Sequence, residues 1–116
     1  MRLCIDLDGV ICEIDRSKGY EELVPIRGAV EAIRGLRKQG HYIIINTARH
    51  MKTKESNVGQ VIAAKGLVTL EWLKKYGVEY DEIYFGKPWA DFYIDDNAVR
   101  FTSWDQAIDA IGGPLN

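Results

Sequence analysis

The 116-residue sequence has almost no excess of charge of either sign: 15 Lys and Arg stand against 17 Asp and Glu, a formal net charge of -2. Without a basic stripe it lacks the footprint of a dedicated nucleic-acid binder, which needs clustered Lys and Arg to displace counterions. Long hydrophobic runs are missing too. The longest aliphatic stretch, Ile43-Ile44-Ile45, is far short of the ~20 apolar residues of a membrane-spanning helix. The opening Met1-Arg2-Leu3-Cys4-Ile5-Asp6 interrupts its apolar character with a carboxylate at once. No secretory signal is read there, and a cytoplasmic location is expected. Cysteine is scarce. Cys4 and Cys12 make no disulfide framework, and their spacing does not suit zinc. Cys4, in a strand-like run, is expected to be a buried small hydrophobe, and Cys12 to be semi-exposed. Repeats, low-complexity tracts and linkers are also lacking. A chain of this length fits one domain, residues 1–116, with no room for a separate substrate-binding lobe.

What is present alternates between strand and helix. Arg2 to Leu7 reads as a strand and His41 to Asn46 as a second one, continuously apolar as when both faces are buried. Asp81 to Phe85 gives a third, and Phe92-Tyr93-Ile94 a fourth. Between them, Ala29, Val30, Ile33 and Leu36 recur at helical spacing over Arg27–Gln39, and Gly40 closes that helix. A second helix is expected over Val61–Tyr76 with Leu67, Leu70 and Leu73 as its core face, and a last one over Trp104–Ile111 behind Thr102-Ser103. Such alternation specifies an α/β fold, a Rossmann-like parallel sheet between flanking helices. In such sheets, sites form beyond the carboxyl ends of the strands.

That edge collects the polar residues. The first strand delivers Asp6 and Asp8, the second Thr47, the turn Gly86-Lys87-Pro88 a lysine, and the fourth strand Asp95 and Asp96. Four carboxylates converging on one edge repel one another unless a cation or protonation offsets them. Phosphoryl transfer needs such a set. Mg²⁺ prefers carboxylates and phosphate oxygens, Lys87 adds positive charge, and the Thr47 hydroxyl offers a hydrogen bond to a phosphoryl oxygen.

In order, Asp6-Leu7-Asp8-Gly9-Val10, Thr47 after a hydrophobic strand, Gly86-Lys87-Pro88 and Tyr93-Ile94-Asp95-Asp96 resemble the four motifs of the haloacid dehalogenase (HAD) superfamily. The tract from Tyr84 to Asn97 is similar to small phosphatases of bacterial capsule polysaccharide biosynthesis. The resemblance implies an Mg²⁺-dependent phosphomonoesterase working through an aspartyl-phosphate. Asp6 is then the nucleophile, and Asp8 the general acid and later the base for water. Thr47 and Lys87 bind the phosphoryl group, and Asp6, Asp8 through its backbone carbonyl, Asp95 and Asp96 form the Mg²⁺ set. A sugar phosphate or glycan precursor is the implied substrate.

Neighbouring residues leave alternatives open. Arg49, His50, Lys52 and Lys54 follow Thr47 and read equally as a second anion-binding group or a solvated loop, with Arg49 favoured for substrate binding. Trp89 walls the site, stacks on a sugar or simply packs, and Asn97 orients Asp96 or caps the next element. HAD enzymes usually carry a cap, but Val10 to Pro25 holds only a short loop, and after Thr47 only Arg49 to Gly59 is spare. A capless or nearly capless enzyme has an open site, which implies a large substrate or a neighbouring subunit that completes the pocket. Competing readings are a phosphatase of a macromolecular or nucleotide substrate, an inactive HAD-like binding domain, and a receiver domain. The last needs a phosphoacceptor Asp at the end of a mid-chain strand, where this sequence has Thr47 and Phe85.

Overall fold

Three parallel strands frame the molecule: β1 (Arg2–Asp6), β2 (Tyr42–Thr47) and β3 (Glu82–Phe85), hydrogen-bonded in the order β1-β2-β3. The computed structural model describes residues 1–49, 51 and 57–112. Asp6 pairs with Asn46, and Thr47 with Phe85, so all three strands end on one edge. Three helices flank the sheet: α1 (Ala29–Lys38), α2 (Val58–Tyr76) and α3 (Trp104–Gly112). The expected α/β architecture is present.

Each helix takes its place for local reasons. In α1 the buried residues Ala29, Ile33 and Leu36 follow the expected spacing. Asn57 caps α2, its side chain accepting the Gln60 N–H, and Gly77 ends it in the left-handed conformation. Ser103 caps α3 by accepting the Gln106 N–H (3.2 Å). Leu7, Ile11, Ile33, Ile43, Ile45 and Leu73 are fully buried, each contributing about 1.5–3 kcal/mol relative to exposure. They join Trp72 and Trp104 in one core. No described helix is long and apolar enough to cross a membrane.

Four expectations need correction. Phe92-Tyr93-Ile94 is not a strand: it finds no ladder partner, and Phe92 and Ile94 are 80% and 101% exposed. The core face of α2 is not the leucine row. Leu67 and Leu70 are exposed, while Val61, Gly66, Thr69, Trp72 and Leu73 face inward, because the helix presents the stripe that meets β3 and the segment before α1. Strand β2 is buried on one face and half-buried on the other. The cysteines exchange places. Cys4 is exposed on β1, an edge strand of the described sheet, and Cys12 is buried because the chain folds back there.

That fold-back closes the segment between β1 and α1. The Ile26 N–H donates to the Ile11 carbonyl (2.8 Å) and the Glu13 N–H to the Val24 carbonyl (3.0 Å), clamping the two ends together. Inside the clamp lies a single 3₁₀ turn, Tyr20–Glu22. The Trp72 indole N–H donates to the Leu23 carbonyl at 2.7 Å and fastens the segment to α2. No folded cap stands among the described residues of this interval. His50, Lys52 and Lys54 lie outside the described residues.

Candidate active site

The carboxyl edge of the sheet is shaped first by backbone. After Asp6 the chain turns tightly: the Ile11 and Cys12 N–H groups both donate to the Leu7 carbonyl (2.9 Å each), and Gly9 N–H donates to the Cys12 carbonyl. Gly9 has φ +87°, a conformation that side chains strain. Across the edge, the N–H groups of Gly86 and Lys87 both donate to the Thr47 carbonyl (3.1 Å each). This pair of hydrogen bonds ties the lysine turn to the end of β2. Gly86 is at φ +97°, and a Cβ there would lie 2.6 Å from Val58 Cγ2.

The turn delivers Lys87 to Asp6. Lys87 Nζ lies 3.4 Å from Asp6 Oδ2 and 4.2 Å from the Tyr93 ring centroid, while Asp6 Oδ1 accepts the Leu7 N–H (3.0 Å). Both side chains keep access to solvent, 34% for Asp6 and 20% for Lys87. Burial raises the Asp6 carboxyl above its ordinary value, with the charge and hydrogen bond of Lys87 pulling the other way. The pair sets an anionic oxygen beside a cation at the open end of the sheet.

Asp8 and Arg49 form a second pair, deeper in. Arg49 Nε donates to Asp8 Oδ1 and Oδ2 at 2.9 and 3.0 Å, and the terminal nitrogen NH2 lies 2.9 Å from Oδ1. The other donors are also engaged, NH1 by Thr69 Oγ1 (3.3 Å) and NH2 by Cys12 Sγ (3.4 Å). Tyr20 lies against the guanidinium, 4.2 Å from ring centroid to Cζ. Burial raises the Asp8 carboxyl, Arg49 opposes the rise, and the charge of Asp6 adds to it. Burial also pushes the Cys12 thiol up to about 11.

These contacts alter the reading of Arg49. It was expected to meet a second anionic group of the substrate, yet the residue is 3% exposed and its guanidinium is consumed by protein partners. Thr47 is buried as well, and its hydroxyl oxygen accepts the Arg49 backbone N–H at 3.1 Å. An oxygen used as acceptor in this way keeps its own proton for donation.

Among the described residues, Asp95 and Asp96 make no hydrogen bond or ion pair with this group. Both are exposed, and Asp95 Oδ1 accepts the N–H groups of Asp96 (2.8 Å) and Asn97 (3.5 Å), which hold its carboxyl below the ordinary value. Tyr93, two residues before Asp95, nevertheless lies against Lys87. Among the described residues no three His, Cys, Asp or Glu side chains are placed to hold a metal ion. The three side chains of the expected Mg²⁺ set, Asp6, Asp95 and Asp96, are therefore not gathered in this geometry. Asn97 takes part in the same turn, and Trp89 is half exposed at 55%.

Sequence reasoning missed Thr69, Tyr20 and Cys12 as partners of the site. A signal for Thr69 exists: it sits three residues from Gly66 and four from Leu73 on the buried stripe of α2, and a buried hydroxyl there needs a polar partner. Nothing local marks Tyr20.

Comparison with known proteins gives the same fold. The chain matches no protein-family model and no curated protein sequence. It is similar to the crystal structure of an MCSG target from Vibrio cholerae, at 42% identity, TM-score 0.79, covering 85% of this chain and 82% of that one. It also resembles the D,D-heptose 1,7-bisphosphate phosphatase of B. bronchiseptica, solved with magnesium and phosphate, at 19% identity and TM-score 0.51. That match covers 72% of this chain and 48% of the phosphatase, so the chain spans about half its length. The second likeness is one of fold. The chain belongs to the same family as the Vibrio cholerae protein, and its fold is the HAD-like, Rossmann-type α/β sheet.

Proposed function

We propose that the protein is a phosphomonoesterase whose nucleophile is Asp6. The observation that carries this reading is the Asp6–Lys87 contact, 3.4 Å at the open carboxyl edge of the sheet, with Asp8 two residues further on. A carboxylate attacking a phosphate ester brings two anions together, and Lys87 offsets that repulsion. In the first step the Asp6 carboxylate forms an O–P bond as the ester O–P bond breaks, and Asp8 gives its proton to the departing oxygen. In the second, water attacks the aspartyl-phosphate, its proton passes to Asp8, and the Asp6–phosphorus bond breaks to release phosphate. Lys87 and the Thr47 hydroxyl are the groups proposed to hold the phosphoryl oxygens.

The Mg²⁺ requirement expected from the sequence belongs to this proposal, with Asp6, the Asp8 backbone carbonyl, Asp95 and Asp96 as the ligands that metal binding would have to draw together. Its support is the carboxylate chemistry and the fold shared with a phosphatase solved with magnesium. No step above runs through the metal. A sugar phosphate or glycan precursor of surface polysaccharide synthesis is the proposed substrate, supported by the resemblance of the Tyr84–Asn97 tract and by a protein of like fold named for a sugar bisphosphate. We place the enzyme in the cytoplasm on the same reading.

Hydrolysis of p-nitrophenyl phosphate tests the core of it. Turnover is expected with Mg²⁺, to stop on addition of EDTA, and to vanish in Asp6→Asn. Activity retained in Asp6→Asn overturns the mechanism. A kcat/KM screen of phosphorylated metabolites tests the substrate class, and nucleotides or phosphopeptides outrunning every sugar phosphate would remove it.

A further inference from the structure

We infer that Arg49 is a positioning residue, clamping the Asp8 carboxylate in one orientation for proton delivery and making no contact with substrate. This rests on the phosphomonoesterase reading and adds to it a residue that acts only through another.

The geometry separates this role from anion binding. An arginine that receives a substrate anion must leave N–H groups facing the cleft. Here Nε and NH2 are spent on Asp8, NH1 on Thr69 and NH2 again on Cys12 Sγ, while the Tyr20 ring lies against the guanidinium. The side chain is 1% exposed, against 27% for Asp8. The exposed end of the pair is therefore the carboxylate, and the guanidinium stands behind it.

The direction of support is as informative as the contacts. Thr69 comes from α2, Cys12 from the turn after β1, and Tyr20 from the 3₁₀ turn fastened by the Trp72–Leu23 bond. Three separate parts of the chain thus fix a guanidinium whose planar fork grips one carboxylate through several N–H groups. A planar fork restricts rotation of its partner in a way that a single ammonium cannot. Asp8 cannot swing without breaking bonds to a group that is itself locked.

A positioned general acid matters only when the leaving oxygen needs a proton. An alkyl phosphate expels an alkoxide that must be protonated, whereas p-nitrophenolate leaves unaided. The test is therefore the ratio of the two activities in Arg49→Met, with wild-type enzyme alongside. For an alkyl phosphate such as a sugar phosphate, kcat/KM is expected to fall ~10²-fold, the lower end of what a general acid supplies. For p-nitrophenyl phosphate, kcat/KM should fall by no more than about threefold, because it ends at departure of the leaving group and so excludes the later water step that also uses Asp8. KM should rise by no more than about threefold for either substrate, since no substrate contact is lost. Equal losses of kcat/KM on both substrates would show a structural role only, and a rise in KM with kcat retained would make Arg49 a substrate-binding residue. Either result overturns the inference.

Thr69→Val gives a milder perturbation if Arg49→Met does not fold, because it frees only NH1. The same selectivity for alkyl esters is expected, reduced to about three- to tenfold, and its absence overturns the inference. Failure of the underlying reading is visible separately, as a wild-type protein inactive on both esters.

Discussion

Removing Asp8 should destabilise the fold more than removing Arg49, although the two form one ion pair. Burial costs the Asp8 carboxylate more than Arg49 returns to it, since its pKa lies above the ordinary value. Deleting the carboxylate nevertheless does not recover that cost. In Asp8→Ala the guanidinium loses its counter-ion and contacts of 2.9, 3.0 and 2.9 Å, and at 1% exposure it has no route to water. Breaking a buried pair from one side costs about 3–5 kcal/mol, and retention of Thr69 and the Tyr20 ring puts this case near ~3. At roughly 4 °C per kcal/mol, the melting temperature falls by about 12 °C. In Arg49→Met the stranded group is Asp8, which is 27% exposed and can turn toward solvent, so the loss is about 1–2 kcal/mol. The double variant should cost less than the sum of the singles by at least ~1 kcal/mol, because the stranded charge is gone. Urea unfolding of the four proteins measures all three differences. Asp8→Ala within ~0.5 kcal/mol of wild type, or Arg49→Met the costlier of the two, would refute the reasoning, because the first places the error in the guanidinium's isolation and the second in the carboxylate's exit.

Three further outcomes are expected. Gly86→Ala should lose about 2 kcal/mol in urea unfolding, from a left-handed backbone and a clash with Val58, and Gly86→Ala with Val58→Ala should recover about half, leaving only the backbone strain. Iodoacetamide at mildly alkaline pH should label Cys4 in the native protein and leave Cys12 until denaturant is added, since the Cys12 thiol is buried with its pKa pushed up to about 11; mass spectrometry of the digested protein reads this directly. The Asp81 carboxyl is held below its ordinary value first by the Ile43 N–H and then by Arg37, so it stabilises the fold above the ordinary carboxylate pKa and ceases to do so as pH falls through its lower folded value. Asp81→Asn should therefore be less stable than wild type at neutral pH, with the gap closing in acid; a gap that widens in acid reverses the sign.

What the sequence disclosed depended on how far each cause reaches along the chain. Strands β1 to β3 and all three helices follow from periodicity and caps, which are local, and the structure bounds them within a few residues. The placement of Asp6, Thr47 and Lys87 at one edge follows from those bounds and from parallel pairing. The triplet Phe92-Tyr93-Ile94 has strand composition, but a strand exists only when a neighbour supplies its ladder, and composition is blind to that. Arg49 fails as a sequence reading for the same reason. Its charge and its place after Thr47 suggest an open loop, while its burial is decided by Asp8 at a separation of 41 residues and Thr69 at 20.

The short segment between β1 and α1 reaches both α2 and the Asp8–Arg49 pair. Its only regular element among the described residues is one 3₁₀ turn, and Asp6 and Lys87 remain accessible to solvent. Its Tyr20 lies on Arg49, its Leu23 carbonyl is held by Trp72, and its ends are clamped by Ile26 and Glu13 N–H groups. The residues that a larger relative could spend on enclosing substrate are spent here on immobilising the group behind Asp8. Rigidity and enclosure are separable contributions to a transition state: the first orients the proton donor, and the second excludes water and reads the substrate. On the phosphomonoesterase reading, a site with the first and, among the described residues, without the second should turn over small activated esters readily and discriminate weakly among them. Kinetic specificity measured as the spread of kcat/KM across sugar phosphates should accordingly stay within about two orders of magnitude, and a single substrate preferred beyond ~10⁴-fold would show that enclosure is supplied from elsewhere.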